Sequence, residues 1–307
     1  MNILVYGAGV LGSALAHTLI KTGHRVTLLA RGRRAEQLEQ DGLVIRHYIQ
    51  RKTTVDRPKV IRELAPDSEY DLIFVVMKYF HFSPVLPALA ANASRNIVLI
   101  GNNPDAYALQ EEWKRLGGEP ERLAFGFQIS AGTREDSGRI VSIRFGAGEM
   151  VVGALDGPIP FLPLLRQAFE NGRYKLTVHD EIDAWLKNHI VPIVPLTAAI
   201  FSHGRDFDAI VKDKPLMKKV VDAMGEGFDV LEAAGYPMAP AAQARFIRRH
   251  KKITRTGLAF FHRLSVARMV DGTPDEIVAL NAVFQEWKQQ TGLSAPAWDA
   301  LVEKANL

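Results

Sequence analysis

Residues 2–31 read NILVYGAGVLGSALAHTLIKTGHRVTLLAR, and the fold is decided by this stretch. Residues 2–6 form a short apolar run ending at Gly7. Residues 10–22 then place Val10, Leu11, Ala14, Leu15, Thr18 and Leu19 on one helical face, with Gly23 as the C-terminal cap. Residues 25–30 make a second buried strand. Between the first strand and the helix stand Gly7, Gly9 and Gly12, spaced G-x-G-x-x-G. The first glycine permits a tight turn, the second lets backbone approach a pyrophosphate, and the third lets helix and strand pack closely. The helix N-terminus adds unpaired N–H groups and a partial positive charge. The loop Gly7, Ala8, Gly9, Val10, Leu11, Gly12 is therefore predicted to hold a dinucleotide, ahead of other nucleotide ligands such as S-adenosylmethionine.

The alternation continues outward. Residues 71–77 and 96–100 read as buried strands with helical or loop segments between them, the rhythm of a parallel sheet wrapped by helices. Residues 123–128, 140–145 and 149–154 are further strands, and the break at Gly146 to Gly148 predicts a hairpin between the last two. Gly157, Pro158, Pro160 and Pro163 then break the pattern. Beyond Asp180 the segments 180–200, 215–234, 240–251, 257–269, 274–291 and 296–305 all read as helices, several opening near a proline. At 307 residues the chain exceeds what one hydrophobic core usually organises. The expected fold is α/β: a Rossmann-type doubly wound sheet over 1–177, then a mostly α-helical domain over 178–307.

Composition excludes several classes. With 47% hydrophobic and 23% charged residues, disorder, collagen-like repeats and coiled coil are ruled out. The apolar runs 72–77 and 190–200 fall short of the roughly 20 residues that span a bilayer. The chain opens on a strand pattern, not a leader, so a cytoplasmic protein without a membrane span is expected. Absence of cysteine removes disulfides, thiolate nucleophiles and sulfur metal sites, and no H-E-x-x-H spacing suggests a metal. The 38 Lys and Arg exceed the 34 Asp and Glu to give a net charge of +4. The excess gathers at residues 31–34 and in Arg245, Arg248, Arg249, Lys251, Lys252 and Arg255. In the second group Phe246 alone interleaves, too little for base stacking, so a solvated helix face or an anion or subunit contact is read there and no nucleic-acid partner is expected.

An NAD site usually places an acidic residue about 20 positions beyond the loop, where it binds the ribose hydroxyls. Here Ala30 and Arg31 occupy that place. A carboxylate repels a 2′-phosphate, whereas a guanidinium binds it bidentately, so NADP(H) is the predicted cofactor. Arg33 and Arg34 either add to that charge or face water.

The glycine loop, Ala30-Arg31-Gly32 and a lysine ending a buried strand together resemble the ketopantoate reductase (2-dehydropantoate 2-reductase) family. The likeness spans nearly the whole chain: LVYGAGVLG at 4–12, VVMK at 75–78, VLIGN at 98–102, WLK at 185–187, PLTA at 195–198 and EIVALN at 276–281. The resemblance implies NADPH-dependent reduction of a 2-oxo acid, typically ketopantoate in pantothenate biosynthesis, in a cleft between a Rossmann domain and a helical one. It implies Lys187 as general acid and Glu276 facing both that lysine and the cofactor. It also implies Lys78 and Asn102 near cofactor and substrate, the backbone of Ala131 against NADP, and Ser265 at the substrate. A homodimer through the helical domain is a further expectation.

The residues also speak for themselves. Lys78 and Asn102 follow strands, where open parallel sheets meet ligands, although a solvated lysine and a turn cap are the plain alternatives. Helical spacing puts Ile190, Val191 and Val194 on the face of Lys187, so this lysine either reaches water or is partly desolvated and a better proton donor. Glu276 also suits a helix first turn by charge alone. Three departures stand out. Val191 and Val194 fall where the family supplies substrate-binding asparagines, Asn103-Pro104 replaces a glycine, and Ser265 aligns only with one residue deleted. A more apolar substrate is therefore expected, with His189 either compensating or lying in the core. Two rivals remain: an opine- or imine-type dehydrogenase using His189, and a catalytically idle NADPH-binding regulatory protein.

Overall fold

A computed structural model describes residues 1–144, 146–264, 267–269 and 272–307. The chain divides into two compact units, Met1–Ile182 and Asp183–Leu307, where the sequence suggested a boundary between 177 and 178.

The first unit is α/β. Its elements are β1 (Asn2–Tyr6), α1 (Val10–Lys21), β2 (Arg25–Leu29), α2 (Gly32–Asp41), β3 (Leu43–His47), β4 (Lys52–Asp56), β5 (Lys59–Ile61), β6 (Leu72–Val76), α3 (Leu86–Ala91) and β7 (Ile97–Ile100). They continue as α4 (Ala106–Arg115), β8 (Leu123–Ile129), β9 (Ala131–Arg134), β10 (Ile140–Ile143), β11 (Glu149–Gly153), α5 (Leu162–Phe169) and β12 (Lys175–Val178). The large sheet runs β12-β11-β8-β7-β6-β1-β2-β5, parallel from β5 to β8, with β11 antiparallel to β8. Its central strands are unbroken apolar runs because both faces are covered; every residue of β6 and β7 is buried. From β1 the chain winds one way through β2 and β5 and the other way through β6, β7 and β8. The switch point thus lies between the carboxyl ends of β1 and β6, where open α/β sheets bind ligands.

A small sheet, β4-β3-β10-β9, packs on α1 and was not foreseen beyond its β10 strand. It corrects the hairpin expected across Gly146 to Gly148. β10 pairs with β3 and β9, while β11 pairs with β8 and β12. A glycine break lets the chain reverse without making the flanking strands pair, and each found a longer-range partner that buries its apolar residues.

The second unit is helical: α6 (Ile182–Ser202), α7 (Phe207–Lys212), α8 (Lys214–Ala233), α9 (Ala241–Arg249), α10 (Lys251–Arg263), α11 (Pro274–Thr291) and α12 (Pro296–Lys304). α8 buries Leu216, Val220, Met224, Phe228 and Leu231 along one stripe, and α12 lies against it. Trp298 stacks on Phe284 at 3.7 Å. Asp206 and Asp213 cap α7 and α8, and prolines open α11 and α12. The helix expected over 257–269 instead starts at Lys251 and ends at Arg263, because the chain breaks at His250 (φ −116°, ψ 46°), leaving Gly257 in its interior. α6 is long and apolar enough to cross a membrane by length and composition, but most of its apolar window is buried within the protein.

Candidate functional site

Crowding in the loop after β1 explains Gly7 and Gly12. Gly7 has φ +115°, and a Cβ there would lie 2.2 Å from the Val76 carbonyl oxygen at the end of β6. At Gly12 a Cβ would lie 1.9 Å from the Gly7 oxygen. A Cβ on Gly9 would meet nothing within 4 Å, so protein crowding does not demand glycine there, and the bare backbone faces open space at the N-terminus of α1. That division of labour fits a pyrophosphate laid against Gly9. Gly132, φ +156°, brings β9 close to Val10: a Cβ there would lie 3.0 Å from Val10 Cγ1.

The arginines after β2 divide their roles. Arg34 is buried and donates from Nε to the Ala8 carbonyl (2.9 Å), from one terminal nitrogen to the Gly138 carbonyl (2.7 Å) and from the other to Ser13 Oγ (3.1 Å). Burial lowers its pKa to about 10, so it remains a cation at neutral pH, bracing the loop from behind. Arg33 donates to the Asp136 carbonyl. Arg31 is exposed and donates to the Tyr6 hydroxyl at 2.8 Å. Burial raises the Tyr6 pKa, with the Arg31 charge pulling the other way. Neither the Arg34 brace nor the Tyr6 anchor was read from the sequence.

Lys78 lies just past β6, half-buried, with Nζ 5.8 Å from the Phe80 ring centre. Asn102, also half-buried, follows β7 after Gly101, whose Cβ would meet the Met77 carbonyl at 2.3 Å. Gly7, Lys78 and Asn102 therefore sit at the carboxyl ends of neighbouring parallel strands β1, β6 and β7. Ser265 lies outside the described residues.

In the helical unit, Lys187 is buried on α6. Its Nζ stands 2.5 Å from Asp183 Oδ1, 4.7 Å from the Tyr236 ring centre and 5.9 Å from that of Trp287. A carboxylate and two aromatic faces suit an ammonium ion. Asp183 was the legible partner that went unread: an acid one turn ahead of a lysine is the favourable order on a helix. Val191 and Val194 are fully buried; a Cβ on Gly227 would lie 2.8 Å from Val191 Cγ1, so Val191 packs tightly on α8. His189 stacks on Trp185, centroids 5.0 Å apart and planes 8° off parallel, and burial drives its pKa down to about 4. It is neutral at physiological pH, which takes support from the dehydrogenase reading built on it. Glu276 is half-buried in the first turn of α11. In the basic stretch, Arg248 pairs with Asp229 and Glu232, and Lys251 with Asp222, so carboxylates of the same unit already answer part of that charge.

A glycine-loop α/β unit at the amino end is followed by a unit whose described elements are all helical. The family model described as ketopantoate reductase PanE/ApbA matches residues 3–157. The chain belongs to that family of oxidoreductases. It is 24% identical over 310 residues to an uncharacterized oxidoreductase, YkpB, of Bacillus subtilis, covering 98% of this chain and 96% of the relative. It is also 24% identical over 308 residues to a 2-dehydropantoate 2-reductase of Aquifex aeolicus, covering 96% and 93%. Among solved structures, D-mandelate dehydrogenase with NADH and anilino(oxo)acetate shares the fold at TM-score 0.79 and 15% identity, covering 100% of this chain and 97% of that one.

Proposed function

We propose that this protein reduces a 2-oxo acid to the 2-hydroxy acid with NADPH. The observation that carries the reading is the loop opening at Gly9 together with Arg31, which stands where an NAD site keeps an acid. When bound, NADPH supplies the hydride. The backbone from Gly7 to Gly12 and the first N–H groups of α1 hold the pyrophosphate, and Arg31 takes the 2′-phosphate through charge-assisted bonds. Lys78, Asn102 and Ser265 orient the substrate, while Ala131 backs the cofactor. Lys187 carries on Nζ the proton delivered to the substrate's keto oxygen, and its charge stabilises that oxygen as negative charge develops. Glu276 orients the lysine or the new hydroxyl.

The substrate side chain is apolar in this reading. Val191 and Val194 offer no hydrogen bond to a hydroxyl, and loss of such groups changes substrate preference by orders of magnitude. The similarly folded D-mandelate dehydrogenase is named for an aromatic 2-hydroxy acid, so phenylglyoxylate is the first substrate to try beside ketopantoate. The proposal extends to a cytoplasmic homodimer through the helical unit, where Ile253 and Phe260 turn apolar surface outward from α10; light scattering reads it.

NADPH oxidation over ketopantoate, phenylglyoxylate and branched aliphatic 2-oxo acids, repeated with Lys187→Ala, tests the chemistry. The variant should bind NADPH and lose turnover; full turnover would remove Lys187 from its role. One observation favours the second reading, a catalytically idle NADPH-binding protein: the Lys187 ammonium is buried and closed on Asp183. In that case the wild type binds NADPH tightly and oxidises it at background over the whole panel.

A further inference from the structure

We infer that Tyr6 is a specificity-determining residue, anchoring Arg31 and sharing in recognition of the cofactor's 2′-phosphate. The inference rests on the NADPH reading above. Tyr6 closes β1 immediately before Gly7 and is register partner to Leu29 in β2. Paired residues of parallel strands share a face, and Arg31, in extended backbone two residues beyond Leu29 (φ −123°, ψ 161°), returns to that face. The outcome is the 2.8 Å bond from the Arg31 guanidinium to the Tyr6 oxygen, with the guanidinium carbon 5.9 Å from the ring centre.

Three features make this bond a cofactor-reading device. Its neighbours Arg33, also exposed, and Arg34, buried, direct donors to backbone carbonyls, whereas Arg31 bonds the side chain that closes β1 just before Gly7. The Tyr6 ring is buried and cannot wander, whereas Arg31 is exposed; a fixed phenol holding one guanidinium N–H restricts the fork and leaves its other donors for a phosphate. In accepting from Arg31 the phenol keeps its own O–H proton, which burial holds in place by raising the Tyr6 pKa, and that O–H is a second donor for the same phosphate oxygens. NADH, lacking the phosphate, gains from neither.

The test is a double-mutant cycle on the full chain with Tyr6→Phe, Arg31→Ala and both together. Dissociation constants for NADPH and NADH come from nucleotide fluorescence, and thermal shifts with adenosine 2′,5′-bisphosphate and with AMP isolate the 2′-phosphate. Tyr6→Phe should weaken NADPH roughly tenfold, the loss of a bond to a charged group, with NADH within about twofold. In the Arg31→Ala background the same substitution should cost less, because its anchoring role has gone. Unchanged NADPH affinity in Tyr6→Phe, or equal losses for both nucleotides, would overturn the inference and leave Tyr6 a core residue. A wild type that binds NADH as tightly as NADPH would instead defeat the cofactor reading itself, and the inference with it.

Discussion

Asp183 and Lys187, one turn apart on α6, form an ion pair at 2.5 Å with side chains only 11% and 4% exposed. In that setting the pair is worth little over an apolar substitute, but breaking it strands a buried charge. Asp183→Ala is expected to cost about 3–5 kcal/mol in urea denaturation. The double substitution Asp183→Leu with Lys187→Met should recover most of that loss. A single Asp183→Ala variant as stable as wild type would show that the ammonium has another route to solvation. Lys187→Ala also breaks the buried ion pair, so its turnover is meaningful only beside a measured melt.

Glycines in the loop should separate by readout. Gly7→Ala and Gly12→Ala drive a methyl into backbone carbonyls at 2.2 and 1.9 Å, so both should lower the melting temperature by many degrees. Gly9→Ala meets no protein atom within 4 Å and should melt like wild type while weakening NADPH binding. Equal nucleotide affinity in Gly9→Ala would place the pyrophosphate elsewhere.

Arg34 and Arg33 stand side by side and should behave unlike each other. Removal of Arg34 leaves the Gly138 carbonyl without its side-chain donor and the Ala8 carbonyl with the Ser13 hydroxyl alone, a loss of about 2 kcal/mol, and should also slacken dinucleotide binding. Arg33→Ala gives up an exposed bond to a single carbonyl and should change stability by less than about 0.5 kcal/mol.

Acid should loosen the nucleotide unit through its histidines. His17 Nδ1 lies 2.6 Å from Asp56 Oδ2, and the His17 and His47 rings are 4.7 Å apart. Burial outweighs Asp56 and holds His17 below its ordinary pKa; burial, then the charges of His17 and Arg144, take His47 from 6.5 to about 4. Between those values the unfolded chain binds more protons than the folded one, so the contribution of His47 is complete above pH 6.5 and lost as pH falls toward 4. His47→Gln should flatten the decline of melting temperature across that window, and an unchanged slope would exclude His47 as its source. Asp206 and Asp213, held below the usual carboxylate range by the N–H groups of Ala209 and Leu216, lose their contribution only at lower pH.

Local pattern was enough for a good part of this molecule. The strand, glycine loop, helix and strand from Asn2 to Leu29 were legible because period, cap and glycine spacing are properties of neighbours in the chain. The helices from α8 to α12 declared themselves by the same means, with the shift of α10 as the exception, and the family followed from short motifs in order. Long-range pairing was not legible in this way. The small sheet joins β3 and β4 to β9 and β10 by pairing Ile45 with Ile140, and nothing local to β10 says that β3 will be its partner rather than β11.

The sequence by itself determined the glycine loop, the helical second half and which residue types are at hand for the chemistry, since these depend on composition and on spacing along a few turns. Only the tertiary structure decided what each polar side chain touches. It gave Arg34 to the Ala8 and Gly138 carbonyls, Arg31 to the Tyr6 phenol, Lys187 to Asp183 and His189 to the face of Trp185. A side chain's partner depends on burial and on elements folded against it from elsewhere in the chain, and neighbouring arginines with the same chemistry thereby acquire different roles.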